Sequence, residues 1–543
     1  MQTRWPFFGA FVAGIAIIAA LWYLVLSNPK GEAVPASGGR YIEGVVGAPE
    51  RINPLYAAAN PVDRDLSSLI FSGLVRLGPD GTPEPDLAYS WEITGNGQSY
   101  IFHLREGVAW QDDENSRFDA DDVVFTYRAL SDPAFKGDPA LAGLMQGVVV
   151  SARDPYTVEF KLEQAYAPFL SYLTIGILPQ HLLKDLDADG LYSDEFNARP
   201  VGTGPYRLHR RADDRIELET NPTYYLGPPR VSTLEFRYFT DEDDLTGALR
   251  SAAIDGALLP PTTPMSEIAF LRETGRFSMR DLTGTSMNLV YLDTRSPLFA
   301  DADLRHALQQ AVNVQSLITD VSGGRGATAD TGIPRSSWAY TPVESPAFDP
   351  GSAASTLERL GWSRGRDGIR QKDGLKLSFS LATSDDPQRV AIAEDVSRQW
   401  RAVGVDAVIE PVGANTYIDE RLLARDFDAA LAEIDPGADP DPYPFWHSSQ
   451  IAAPGRNLSS YSDPRVDDVL ERARQTTDTA RRRELYELFE GYIIAGAPVL
   501  PLYAPVWTYV QATEVQGFTP SLLFTPSARF ANVNEWYIKT RVR

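Results

Sequence analysis

Residues 375–411 read as strand, helix, strand. The run 375–381 (LKLSFSL) alternates apolar and polar side chains, 390–403 carries helical spacing, and 407–411 is a second short strand. That order predicts a parallel pair joined by a crossover helix, and with it an α/β fold. A chain of 543 residues is too long for one hydrophobic core, so at least two domains are expected.

Composition narrows the partners. A hydrophobic content of 43% with 11% aromatics argues for folded structure throughout. A net charge of -23 repels phosphate backbones, so no nucleic acid is expected as a partner. With no cysteine, disulfides, thiol catalysis and cysteine-bound metal are excluded. The histidines (His103, His181, His209, His306 and His447) are scattered, with no pair at ligand spacing, so no metal site and no cofactor are expected.

Residues 5–26 are apolar and long enough to cross a bilayer as a helix. Arg4 on the near side orients it with the amino terminus in the cytoplasm. The expectation is an anchor helix over 1–27, with a cleaved signal peptide as the alternative. The stretch 28–39 (NPKGEAVPASGG) reads as a flexible tether, and the folded part is expected from about Arg40. The protein would thus sit at the cell membrane with its folded part on the extracellular or periplasmic side.

The loop 435–450 (DPGADPDPYPFWHSSQ) combines three aspartates, four prolines in its first ten residues, and the aromatics Tyr443, Phe445 and Trp446. Proline disfavours helix before it, so this is an ordered loop. Carboxylates beside large aromatics offer a cation both charge and an apolar wall. Asp439 is read as meeting the positive end of a ligand in a cleft between two lobes. The competing reading leaves these aspartates capping turns in water.

Other stretches are plainer. A β-hairpin is expected over 86–104, turning at Gly95, Asn96 and Gly97. One helix is expected over 301–321, capped by Asp301 and stopped by Gly323 and Gly324. The run Arg481, Arg482, Arg483 near the start of a helix at 480–494 is opposed by Glu484, Glu487 and Glu490, and reads as a solvated, salt-bridged face. The segment 499–509 is apolar but broken by Pro501 and Pro505.

No phosphate-binding loop, GxSxG elbow or HExxH helix occurs. Acid pairs such as Asp121 with Asp122 and Asp243 with Asp244 leave a membrane-tethered hydrolase as an alternative. The main expectation is a binding protein and not an enzyme, with no catalytic residue.

Several short motifs then fall in one order. AYSW at 88–91 with YIFHLREG at 100–107, DADDVVF at 119–125, GTGPY at 202–206, NPTYY at 221–225, Asn288 with DLRHAL at 303–308, and DPDP at 439–442 before Phe445 and Trp446 follow one another from about residue 40 to the end. In this the chain resembles the family 5 extracellular solute-binding proteins of ABC importers, which include oligopeptide- and dipeptide-binding proteins. The resemblance implies an α/β, two-lobed periplasmic-binding-protein-like (Venus flytrap) fold with mixed sheets. Lobe I would hold 40–283 and 506–543, and lobe II 284–505. It also implies a monomer that captures peptides by lobe closure and passes them to a permease and its ATPase subunits.

The resemblance further implies that an aspartate of the ligand loop holds a peptide's α-ammonium group; Asp439 is the position that best matches, and Asp441 is the runner-up. Pro436 stands where relatives often carry tryptophan. The arginine that meets a peptide carboxylate in some members has no motif here; Arg335, near Trp338, is the candidate. Tyr291, Trp338, Trp446 and Trp507 are candidate cleft walls, each of them otherwise a core aromatic. A sugar, a nickel complex or another small solute stays open as ligand, nickel being least favoured by the scattered histidines. A receptor that signals instead of feeding a transporter also stays open.

Overall fold

The computed structural model describes residues 33–113 and 115–542. The expected anchor helix lies outside them. Among the described residues, no helix is long and apolar enough to cross a membrane.

Among the described residues, twelve strands build one mixed sheet. In chain order its parts, with the helices that matter here, are β1 (Arg40–Val46), α1 (Pro61–Ile70), β2 (Tyr206–Arg211), β3 (Arg215–Thr220), β4 (Thr233–Phe239), β5 (Gly256–Leu259), β6 (Phe277–Thr283) and β7 (Met287–Leu292). There follow β8 (Gly326–Thr328), β9 (Ser378–Ser384), α2 (Pro387–Ala402), β10 (Asp406–Val412), β11 (Ala429–Ile434), α3 (Pro464–Gln475), α4 (Thr479–Gly496) and β12 (Val499–Ala512). The strand order is β10-β9-β11-β7-β12-β5-β1-β4-β3-β2, with β6 and β8 also paired to β12. The expected crossover is present: β9 and β10 run parallel, Ser378 opposite Asp406, with α2 between them. The hairpin is present too, Ala88–Thr94 against Ser99–Leu104, within a separate four-stranded antiparallel sheet.

β12 organises the molecule. Its first half pairs with β7 (Tyr291 opposite Val499), its middle with β8, and its second half with β6 and β5. Proline donates no ladder hydrogen bond, which is why 499–509 read as broken. Here Pro501 sits opposite the register shift at Asn288 and Leu289, and Pro505 sits where the partner changes from β8 to β6. Both prolines therefore fall where the ladder is already interrupted.

The buried side chains gather accordingly. A first core runs from Tyr41 to Leu282 and resumes from Tyr509 to Trp536, with a satellite around Leu249, Leu271 and Val510. Two further clusters lie between Met287 and Ala504. Within the first core, Arg529 is 3% exposed and ties three elements together: Nε donates to Glu43 of β1 at 2.7 Å, and Nη1 to Asp65 of α1 at 3.0 Å. Tyr41 donates to the other Glu43 oxygen at 2.8 Å. Burying three charges costs several kcal/mol per ion unless each is met, and here each is.

Three expectations need correcting. The tether is partly structured, because Ala33–Ala36 pairs antiparallel with Lys539–Val542. The helix expected over 301–321 is two, Ala302–Gln310 and Val314–Val321. Asn313 breaks the run because its side chain accepts from Ser316 N at 3.0 Å and caps the second helix. The arginine run is not a uniformly solvated face. Arg481 pairs with Glu484 in solvent, but Arg482 and Glu490 are 4% and 0% exposed.

Candidate functional site

Beyond β11 the chain turns back toward the first core. Asp435 Oδ1 accepts from the Thr285 hydroxyl at 2.6 Å and from Gly437 N at 2.9 Å, closing a tight turn. Gly437 sits at φ +74°, a conformation that suits glycine. The turn brings residues 436–439 against α1, the 171–176 segment and the 524–534 segment, and the space between them is a cavity of about 530 Å³.

α1 is fixed from several sides. Asp63 accepts from Glu50 N and Arg51 N at 2.9 and 2.8 Å, and Asp65 is held by Arg529. The C-terminal end of α1 meets the GTGPY motif, where Gly204 N donates to Ile70 O at 2.8 Å. A Cβ at Gly202 would stand 2.0 Å from that carbonyl oxygen, so only glycine allows the approach.

Asp439 lines the cavity, but its carboxylate is taken. Arg482 of α4 donates Nη1 to Oδ2 at 2.7 Å and Nη2 to Oδ1 at 2.6 Å. Arg482 also reaches the Tyr486 hydroxyl at 2.8 Å and lies 5.1 Å from the Trp338 ring centroid. Burial works against its charge, yet Asp439 outweighs that and raises the guanidinium above its ordinary range. The expectation of a free carboxylate at 439 therefore meets a paired one. Asp441 is likewise engaged: Arg474 of α3 donates Nε and Nη2 to Oδ2 at 2.9 and 2.6 Å, and the Tyr166 hydroxyl donates to the same oxygen at 3.3 Å.

Of the ligand-contact candidates chosen from sequence, Asp439 alone lines this cavity. Tyr291 and Trp446 are fully buried and stacked on each other at 6.3 Å, because β7 is covered on both faces. They are core, not cleft wall. Trp338 packs into the same core, and Trp507 is half-buried against the first core. Arg335 forks onto Asp330, with both bonds at 2.6 Å, beside a separate cavity of about 280 Å³.

Sequence reasoning missed Arg482 and Arg64. Arg482 shares helical spacing with Leu485, Tyr486, Phe489 and Ile493, all buried, and that stripe was the available signal. Arg64, Ser67 and Ser68 recur at the i, i+3, i+4 spacing of one helix face, and all three line the cavity.

The chain-wide pattern identifies the family. A family model described as bacterial extracellular solute-binding proteins, family 5 Middle, matches residues 82–454. The chain belongs to this family. The family 5 protein described here is 27% identical to the oligopeptide-binding protein AppA of Bacillus subtilis, over 94% of either chain. The solved structure of AppA in complex with a nonapeptide superposes with a TM-score of 0.69 at 25% identity, covering 93% of this chain and 100% of that one. Protein XP55 of Streptomyces lividans is 30% identical over 88% of this chain and 86% of its own. The structure of NikZ from Campylobacter jejuni in complex with Ni(L-His) superposes with a TM-score of 0.70 at 26% identity, covering 92% of this chain and 99% of that one.

Proposed function

We propose that this family 5 protein captures short peptides in the cavity between the 436–439 loop and α1 and passes them to an ABC permease with its ATPase subunits. Lobe I would comprise 40–283 and 506–543, and lobe II 284–505, joined through β12 and the β6–β7 connection. The folded part works outside the cytoplasmic membrane, tethered through residues 5–26, as a monomer. The observation that carries the reading is a cavity walled by the first core on one side and the 436–439 loop on the other, in a chain similar over nearly its whole length to an oligopeptide-binding protein. Its volume of about 530 Å³ falls within the roughly 300–1,000 Å³ usual for small-ligand pockets, which suits two to four residues better than nine. Closure is driven by whatever contacts the ligand makes only when both walls meet it.

In this reading the Asp439–Arg482 pair holds the loop in place and does not bind ammonium itself. The similarity to NikZ favours a second reading, in which the cargo is an amino-acid chelate of a metal. Mass spectrometry of what is released when the purified protein is denatured separates the two. Short peptides without metal are expected. A stoichiometric metal with free amino acid, or a sugar, would overturn peptide capture.

A further inference from the structure

The cavity carries five charged side chains, and four of them are already engaged. Arg76 bonds Glu84 at 3.0 Å. Asp86 accepts from the Tyr225 hydroxyl, and burial pushes its carboxyl up to about 6. Asp138 caps a helix by accepting from Ala140 N at 2.8 Å. Asp439 is forked by Arg482.

Arg64 is different. Its Nε is buried and has no hydrogen-bond partner among the described residues, and no carboxylate among them pairs with it. One turn along the same face, Ser67 is 6% exposed and its Oγ is also buried without a partner. Two orphaned donors on one rigid helix face, both lining one cavity, are what an absent acceptor would satisfy, because buried polar groups are otherwise almost always paired. The helix that carries both is held in place, since Asp63 and Asp65 anchor it on either side of Arg64.

We infer that the α1 face of Arg64 and Ser67 is an anion subsite that receives a carboxylate of the cargo. The planar guanidinium fork suits a carboxylate, and the serine hydroxyl supplies a further donor. Building on the peptide reading above, this makes the carboxyl end, and not the amino end, the charged group read by the cavity. The only carboxylate in the 436–439 wall is already neutralised.

The test is calorimetric titration of alanine peptides of two to four residues, each as free acid, C-terminal amide and N-acetyl form. It uses the full chain and its Arg64→Gln and Ser67→Ala variants, with thermal unfolding to confirm that each variant is folded. Free acids are expected to bind at least tenfold more tightly than amides, N-acetylation to matter little, and Arg64→Gln to erase the acid–amide difference. Equal binding of acid and amide by the wild type, or a difference that survives Arg64→Gln, overturns the subsite while peptide capture stands. If no peptide binds in any form, succinate and inorganic phosphate are titrated. Binding of either that is lost in Arg64→Gln keeps the anion subsite and refutes peptide capture, with the stronger ligand showing whether carboxylate or phosphate is the group received. No binding of either refutes both.

Discussion

Arg482 grips Asp439 through two parallel hydrogen bonds, at 2.7 and 2.6 Å, and so ties α4 to the loop that walls the cavity. The pair is nearly closed to solvent, with the side chains 5% and 10% exposed. Arg482→Met therefore leaves a shielded carboxylate without its cation. It is expected to lower stability by roughly 3–5 kcal/mol, and Asp439→Asn by a similar amount. The double variant should recover part of the loss. Denaturant titration of all four forms completes the cycle, and a loss below about 1 kcal/mol in either single variant would count against a strong pair.

A second contact crosses between the cores. The Tyr166 hydroxyl, beside the first core, donates to Asp441 at 3.3 Å, and Arg474 lies 5.4 Å from the Tyr166 ring. Tyr166→Phe removes that hydrogen bond, together with the hydroxyl's contact to Tyr172, a change of about 0.5–1.5 kcal/mol per bond. The unliganded protein should shift toward open forms, with a larger radius of gyration in X-ray scattering. An unchanged scattering profile would show that the bond does not hold the two sides together.

Glu490 sets a pH dependence. Burial pushes its carboxyl up from 4.5 to about 7, although the Thr331 hydroxyl and Thr341 N donate to it, while Asp330 and Glu487 add repulsion. The folded pKa lies above the unfolded one, so the folded state binds the proton more tightly. The stabilising contribution is full below about pH 4.5 and is lost as pH rises through 7. Glu490→Gln should match wild type at pH 4 and exceed it by about 3 kcal/mol at pH 8. Urea midpoints across that range measure this, and a difference that does not vary with pH would refute it.

Arg529 is the sole cation bonded to both Glu43 and Asp65 among the described residues. Arg529→Met should cost roughly 3–5 kcal/mol and loosen α1, the helix that carries Arg64. Hydrogen exchange across Pro61–Ile70 should rise ahead of the rest of the chain. Unchanged protection there would mean that Asp63 and the GTGPY contact hold the helix unaided.

Much of the fold was legible before any coordinates. The crossover at 375–411, the hairpin at 86–104 and the cap at Asp301 depend on spacing between near neighbours, and each is present. The errors came where a local rule met a distant partner. Pro501 and Pro505 looked like breaks until β12 was seen to change partners beside them. Arg482 looked solvated because its neighbours are charged, while its helix face is apolar.

The amino-acid sequence by itself settled the class of architecture, the family, and the loop that faces the cavity, because periodicity, turn chemistry and motif order are encoded within short windows. Only the tertiary structure decided which charges are spoken for. Asp439 and Asp441 are bound by arginines more than thirty residues away in the chain, while the buried Nε of Arg64, unremarkable in sequence, has no partner among the described residues. Charge compensation in a low-dielectric interior acts over a few ångströms of space, whatever the separation along the chain, so it is fixed by packing.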